Sequence, residues 1–402
     1  MNTLCTLIFS LFCLLLPAIS SAESELGQIK SNDDAVIRLN PDDPCLDPWC
    51  ALRDTTDDPK REPGPFHPRR LMNSGPLTFF QLPVALTPED LIAGAVDVAI
   101  LGAPVDMGIG MRGAANGPTS LRANIGGVPN VMKMPHMHTG VAWTQELIAV
   151  DYGNAPIDFL SVEKSMPPVR KLVREIAGTG AIPVVIGGDH SLAYPNVAGV
   201  TDVYGKDNVG VIHFDAHYDA SDTMGGHLIS HAQPVRRLID DGHILGKNYI
   251  QVGLRGYWPG EEAFRWMREK GMRYHTMAEI EKDGWDTVIK RVIKEANDGP
   301  EYLYVSFDID VLDPAYTPGT GTPEPNGLTP REVFPLLRHL CAENNLVGFD
   351  LVELNPLVDD SYKTTLYANR IIQECLTGIA MRKKGITDGT YLNPLTTDDN
   401  RK

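Results

Sequence analysis

From about residue 95 the chain alternates between two textures. Short, mostly apolar, strand-like runs fall at 96–101, 147–150, 182–186, 209–214, 249–252, 302–307 and 347–352. Runs of that length, rich in Val and Ile, predict strands buried on both faces. Between them, apolar residues recur at helical spacing. Val169, Leu172, Val173 and Ile176 repeat at i, i+3, i+4, i+7 behind Pro167-Pro168, which predicts a helix starting at the prolines. Further helices are expected over 261–270, 285–296, 330–344 and 364–381. Strands alternating with helices imply right-handed crossovers. The expected fold class is therefore α/β, three αβα layers around a mostly parallel central sheet.

The pattern fails at both ends. Leu4 to Ile19 is almost wholly apolar and uncharged, and Ser20-Ser-Ala22 offers small residues for cleavage. Residues 1–22 therefore read as a secretory signal peptide, although no Lys or Arg precedes the apolar run. The run falls short of the ~20 residues that a spanning helix needs. Residues 23–90 are rich in Asp and Pro and read as an extended N-terminal arm, 91–390 as the main domain, and 391–402 as a polar tail. A secreted or otherwise exported protein is expected, in which Cys45 and Cys50 could pair. Cys341 and Cys375 sit in apolar helical patterns and read as buried thiols. The net charge of −16 argues against nucleic acid and anionic membrane surfaces as partners, and is compatible with a small cationic substrate.

Polar residues of one chemical kind follow several of the apolar runs. Asp215, His217 and Asp219 stand at i, i+2, i+4 behind Phe214, a spacing that puts all three on one face of an extended strand. Asp308 and Asp310 close a second run, and Gly187-Gly188 turns the chain so as to present His190. In open parallel sheets ligands bind beyond the carboxyl ends of the strands, which is where these residues fall. Two imidazoles and four carboxylates, with no thiolate, are too many for one tetrahedral zinc and suit two divalent ions. That oxygen-rich set favours Mn2+, with Ni2+ as the alternative. Such a pair can lower the pKa of a shared water toward neutrality, which is hydrolytic machinery. Glu353 lies outside the set and could hold a cation over that water. His231, in a loop beyond the first cluster, titrates in the range a proton shuttle needs. His227 is nearby and is the weaker candidate.

Gly187-Gly-Asp-His-Ser191, Asp215-Ala-His-Tyr-Asp219, Val305-Ser-Phe-Asp-Ile-Asp-Val-Leu-Asp-Pro314 and Glu353-Leu-Asn-Pro356, in this order, resemble the ureohydrolases, the family of arginase and agmatinase. The resemblance runs from about Val96 to Lys384. It implies a binuclear manganese centre. His190, Asp215, Asp219 and Asp308 would hold one ion, and Asp215, His217, Asp308 and Asp310 the other. It also implies a guanidinium-binding role for Glu353, a proton-shuttling role for His231, and assembly as trimers or hexamers. The implied reaction splits a guanidino group into urea and an amine. Pro318-Gly-Thr-Gly-Thr-Pro-Glu-Pro325 resembles the agmatinase spelling, and Tyr257-Trp258 replaces acidic residues that arginases carry. With the long arm and Val150-Asp-Tyr-Gly-Asn-Ala-Pro156, these residues resemble an agmatinase-like branch that includes nickel-using guanidine hydrolases. An aromatic lid of Tyr257 and Trp258 over a small cation would suit cation–π attraction. Agmatine or guanidine is the expected substrate. Arginine or another guanidino acid is the alternative, and a non-enzymatic binding protein is the reading from a different class.

Overall fold

The computed structural model of the protein describes residues 62–66, 77–123, 134–257 and 259–397. The expected signal peptide, Cys45, Cys50 and Trp258 lie outside them. Eight strands form one parallel sheet: β1 Val98–Ala103, β2 Ala149–Asn154, β3 Ile182–Gly187, β4 Val209–Phe214, β5 Tyr249–Leu254, β6 Arg273–Thr276, β7 Tyr302–Asp308 and β8 Leu346–Val352. Their order is β2-β1-β3-β8-β7-β4-β5-β6. Every residue of β1, β4, β5 and β8 is buried, as the mostly apolar runs imply, and with them His213, Gln251 and Asp350.

Alternation along the strands divides the core in two. Val98, Ile100, Ile186, Phe214, Phe307 and Phe349 face one side with residues of helices Pro330–Glu343 and Lys363–Lys383. Ala99, Leu101, Val185, Val211 and Tyr304 face the other with residues of helices Val162–Gly178 and Ala193–Tyr204. This is the three-layer arrangement expected. Among the described residues no helix is long and apolar enough to cross a membrane.

The structure differs from the sequence reading at four places. The helix carrying Val169 begins at Val162, before the two prolines, because Ser161 caps it by accepting from the Lys164 N–H. β6 was missed: Arg273-Tyr-His-Thr276 is a short, mostly half-buried edge strand with no apolar run. Helix Ala193–Tyr204 was missed too, since it is buried almost all round and has little amphipathic period to read. Part of the expected arm is built into the domain. Phe79 is fully buried with its N–H on Asp151, and Thr87 starts a capped helix, Pro88–Ala93.

Candidate active site

The four central strands β3, β8, β7 and β4 end level with one another. Ile186 pairs with Leu351, Asp308 with Val352, and Phe214 with Phe307. The chain leaving each end carries one part of the candidate site. Asp215, His217 and Asp219 do not extend the strand as expected: β4 stops at Phe214, and they lie in the loop beyond it. The loop still converges their side chains, with Asp219 held at φ 46°. Gly188 makes the turn after β3 possible, because a Cβ there would sit 1.9 Å from the Val105 carbonyl oxygen.

Two clusters result. His190 Nδ1 lies 3.0 Å from Asp215 Oδ2, 3.2 Å from Asp219 Oδ2 and 3.0 Å from Asp308 Oδ2. His217 Nδ1 lies 3.1 Å from Asp310 Oδ2 and 3.5 Å from Asp215 Oδ1. Asp215 is shared, and His217 and Asp219 fall into different clusters. His190 Nδ1 is buried and makes no hydrogen bond of acceptable geometry with any of the three oxygens.

Hydrogen-bond accounting says why. Ser306 Oγ donates its one proton to Asp350 Oδ1 (2.8 Å), so it must accept from His190 Nε2–H at 2.9 Å. That leaves a lone pair on Nδ1 aimed at three carboxylate oxygens. Lone pair against lone pair is repulsive, and a divalent cation among them satisfies all four atoms. Without one, burial and the charges of Asp310 and Asp215 push the Asp308 carboxyl well above its usual range. Burial opposes a charge on His190, but Asp215, Asp219 and Asp308 overcome it and pull that ring well above its ordinary value. The residues therefore fit a metal centre.

Glu353 follows β8 at φ 61° and is buried. Its Oε1 accepts from the His190 N–H at 2.9 Å and lies 3.3 Å from His231 Nδ1. The Ile109 N–H donates to His231 Nε2 at 3.2 Å, which only the neutral ring allows. Burial pulls His231 down, yet the Glu353 hydrogen bond and the charges of Asp219 and Asp189 push it up to about 9 in the ion-free protein. Cations beside Asp219 would remove part of that push, in the direction of the neutral ring that the Ile109 contact calls for.

A cavity of about 270 Å³ opens over these groups, walled by Ile109, Tyr218, Met224, Pro323 and Glu324 as well as by His217, His231 and Glu353. Tyr257 does not reach it. Gly256 turns the chain at φ 82° and packs on the Glu324 carboxylate, leaving Tyr257 98% exposed beside a different groove. The expected aromatic lid thus loses its tyrosine. His227 is also outside, paired with Glu163 on the surface.

Several supporting residues escaped the sequence reading. His213 Nε2 lies 2.8 Å from Asp215 Oδ2 and orients it. Asp350 gathers Ser306, Tyr304, Asn196 and the Phe307 N–H. Asp189 fastens the loop over the pocket by accepting from the Met107 and Gly108 N–H groups. Three of them carried a signal: His213 and Ser306 stand two residues before a proposed ligand, and Asp350 is a lone charge inside an apolar strand.

Strand ends that converge carboxylates and imidazoles on an open parallel sheet define a metal-dependent α/β enzyme. The model of the arginase family matches residues 96–378. The chain is 35% identical over 303 residues to mitochondrial agmatinase of Gallus gallus, covering 75% of this chain and 85% of that one. It is 34% identical over 304 residues to guanidinobutyrase of Pseudomonas aeruginosa, covering 75% and 92%. Proclavaminate amidino hydrolase from Streptomyces clavuligerus has a solved structure that superposes with a TM-score of 0.68 at 31% identity, covering 77% of this chain and 98% of that one. The chain belongs to the arginase family and is a hydrolase.

Proposed function

We propose that the protein hydrolyses a guanidino C–N bond to release urea, with agmatine or guanidine as substrate. The observation that carries this is the bare, buried His190 Nδ1 among three carboxylates, beside a pocket whose wall holds Glu353. His190, Asp215, Asp219 and Asp308 would hold one divalent ion, and Asp215, His217, Asp310 and Asp308 the other. Mn2+ suits this donor set best, and Ni2+ is the alternative. What the ions supply when bound is Lewis acidity, which brings the pKa of a water down toward neutrality.

The chain's own groups do the rest. Glu353 Oε1 is tied to the His190 N–H, which leaves Oε2, beside Gly321, to accept from guanidinium N–H groups. His231 shares its Nδ1 proton with Glu353 and lines the same pocket, so it is placed to pass a proton to the departing amine. The similarity to guanidinobutyrase supports a guanidino acid as a second reading. No Lys or Arg is among the described residues lining the cavity, which counts against it.

The test is urea release by the full chain, loaded with Mn2+ or Ni2+, from agmatine, guanidine, arginine and 4-guanidinobutyrate. No urea from any of them, with metal shown to be bound, sinks the proposal. Glu353→Gln should keep the metal and lose turnover, whereas Asp308→Ala should lose both. The uncharged run at 4–19 further supports export, and N-terminal sequencing of the secreted protein should find Glu23 first. Recovery of Met1 would overturn that.

A further inference from the structure

Glu324 stands apart from the site's other acids. Glu324 lines the cavity half-buried, and among the described residues its carboxylate makes no hydrogen bond or close ion pair, although its charge reaches Arg255. Its backbone is firmly fixed, since the Glu324 carbonyl accepts from Arg255 Nη2 at 2.7 Å. A Cβ on Gly256 would lie 2.7 Å from the carboxyl carbon, so the turn at Gly256 walls one side of it.

The chain leading to Glu324 passes along the site. Gly321 lies against Glu353 Oε2, with a Cβ there only 3.2 Å away, and Thr322 Oγ1 donates to Asp310 Oδ2 at 3.4 Å. Three residues of chain span at most about 10 Å, so the Glu324 backbone lies within about that distance of Gly321, and Glu324 and Glu353 line the same cavity.

Charge balance then gives Glu324 a role. Two divalent ions neutralise the four carboxylates of Asp215, Asp219, Asp308 and Asp310. A guanidinium neutralises Glu353. Glu324 remains: the nearby Arg255 feels its charge but gives its N–H groups to backbone carbonyls, among them those of Glu324, Gly253, Val311 and Asp310, and no Lys or Arg is among the described residues lining the cavity. A positive group on the substrate's far end would pair with it, and a carboxylate there would be repelled.

We propose that Glu324 is a specificity-determining residue of this pocket, reading the charge on the end of the substrate remote from the guanidino group. It favours an ω-aminoalkyl guanidine and turns away a guanidino acid. The inference rests on the reading of the site as a guanidino hydrolase.

The test compares wild type, Glu324→Gln and Glu324→Lys in the full metal-loaded chain. The substrates are agmatine, butylguanidine, 4-guanidinobutyrate and guanidine, whose tails are positive, neutral, negative and absent. Wild type should prefer agmatine over butylguanidine by about tenfold in kcat/KM, expressed in KM and shrinking with added salt. Glu324→Gln should abolish the preference, with agmatine losing more in kcat/KM than butylguanidine or guanidine does. Glu324→Lys should shift it toward 4-guanidinobutyrate.

Calorimetry with putrescine and butylamine gives a reading without turnover. Wild type should bind the dication more tightly, and Glu324→Gln should not distinguish the two. A variant that alters all substrates equally, or none, while urea is still formed, overturns the role of Glu324 and leaves the hydrolase reading standing. No urea from wild type with metal bound overturns the hydrolase reading instead. In that case equal binding of the two amines removes Glu324's role as well.

Discussion

Replacing Ser306 by Ala isolates the device that readies His190 for a metal. The change removes one oxygen at a fully buried position. His190 Nε2–H loses its only acceptor, which costs about 1–3 kcal/mol for a buried donor. Asp350 loses one donor but keeps Tyr304 at 2.6 Å, Asn196 at 3.2 Å and the Phe307 N–H at 3.3 Å, so its share is smaller, about 1 kcal/mol. The ion-free protein should lose on the order of 2–4 kcal/mol, and metal affinity should fall about 10–100-fold, as for other groups that orient a ligating histidine. Asp350→Asn separates the two effects. Its amide can donate to Ser306, whose proton then turns to His190 Nε2 and moves the ring proton to Nδ1, where a metal would bind. Affinity should therefore fall more than ion-free stability does. Chelator competition measures the first, and thermal unfolding with excess EDTA the second. Unchanged affinity in both variants, with stability lowered, would refute the tautomer argument and leave Ser306 as packing only.

Other outcomes follow from single observations. Burial alone would raise the Glu374 carboxyl, but His136, Arg338 and Arg370 draw it down from 4.5 to about 2. The folded-state value is depressed, so its stabilisation, on the order of 3 kcal/mol, is present above pH 4.5 and is lost as pH falls toward 2. Denaturant titrations at a series of pH values should show Glu374→Gln flattening that decline. Gly188→Ala drives a methyl group into the Val105 carbonyl and should cost about 3 kcal/mol or more, read as lost soluble, cooperatively unfolding protein. His217→Asn should lower bound metal from two ions toward one per chain by elemental analysis, with the His190 cluster still loaded. Loss of both ions together would show that the clusters do not fill separately.

The sheet was legible because its strands are buried on both faces, so their runs are mostly apolar, and β3, β4, β7 and β8 lead straight into polar residues of the site. What escaped had no such contrast. β6 is a polar edge, and helix Ala193–Tyr204 is buried on nearly every side. The six proposed ligands were legible as strand-end polar residues, but their grouping came only from the family resemblance, because in the chain itself it depends on loop geometry at Asp219. Tyr257 misled for the same reason. Its direction is set by the backbone angle of Gly256, while Glu324, in a motif read only for its family spelling, took the place at the pocket wall.

That difference extends to the chemistry. The reacting end of a substrate is located by groups fixed to adjacent strand ends, and Glu353 is pinned through Oε1 to the main chain of His190. Two of these residues, Asp219 and Glu353, hold left-handed backbone angles that cost free energy and persist only where the surroundings enforce them. The outer wall of the cavity, which the far end of a substrate would meet, includes Ile109, Tyr218, Met224 and Glu324, which belong to loops. Loops can change in length and direction without disturbing the sheet. A family built this way keeps one bond-breaking geometry while its members differ in what hangs from the guanidino carbon. Similarity to both an agmatinase and a guanidinobutyrase is what such a division produces. The charge of the outer wall is the property by which those two kinds of substrate can be told apart, because their guanidino ends are identical and only their tails differ in sign.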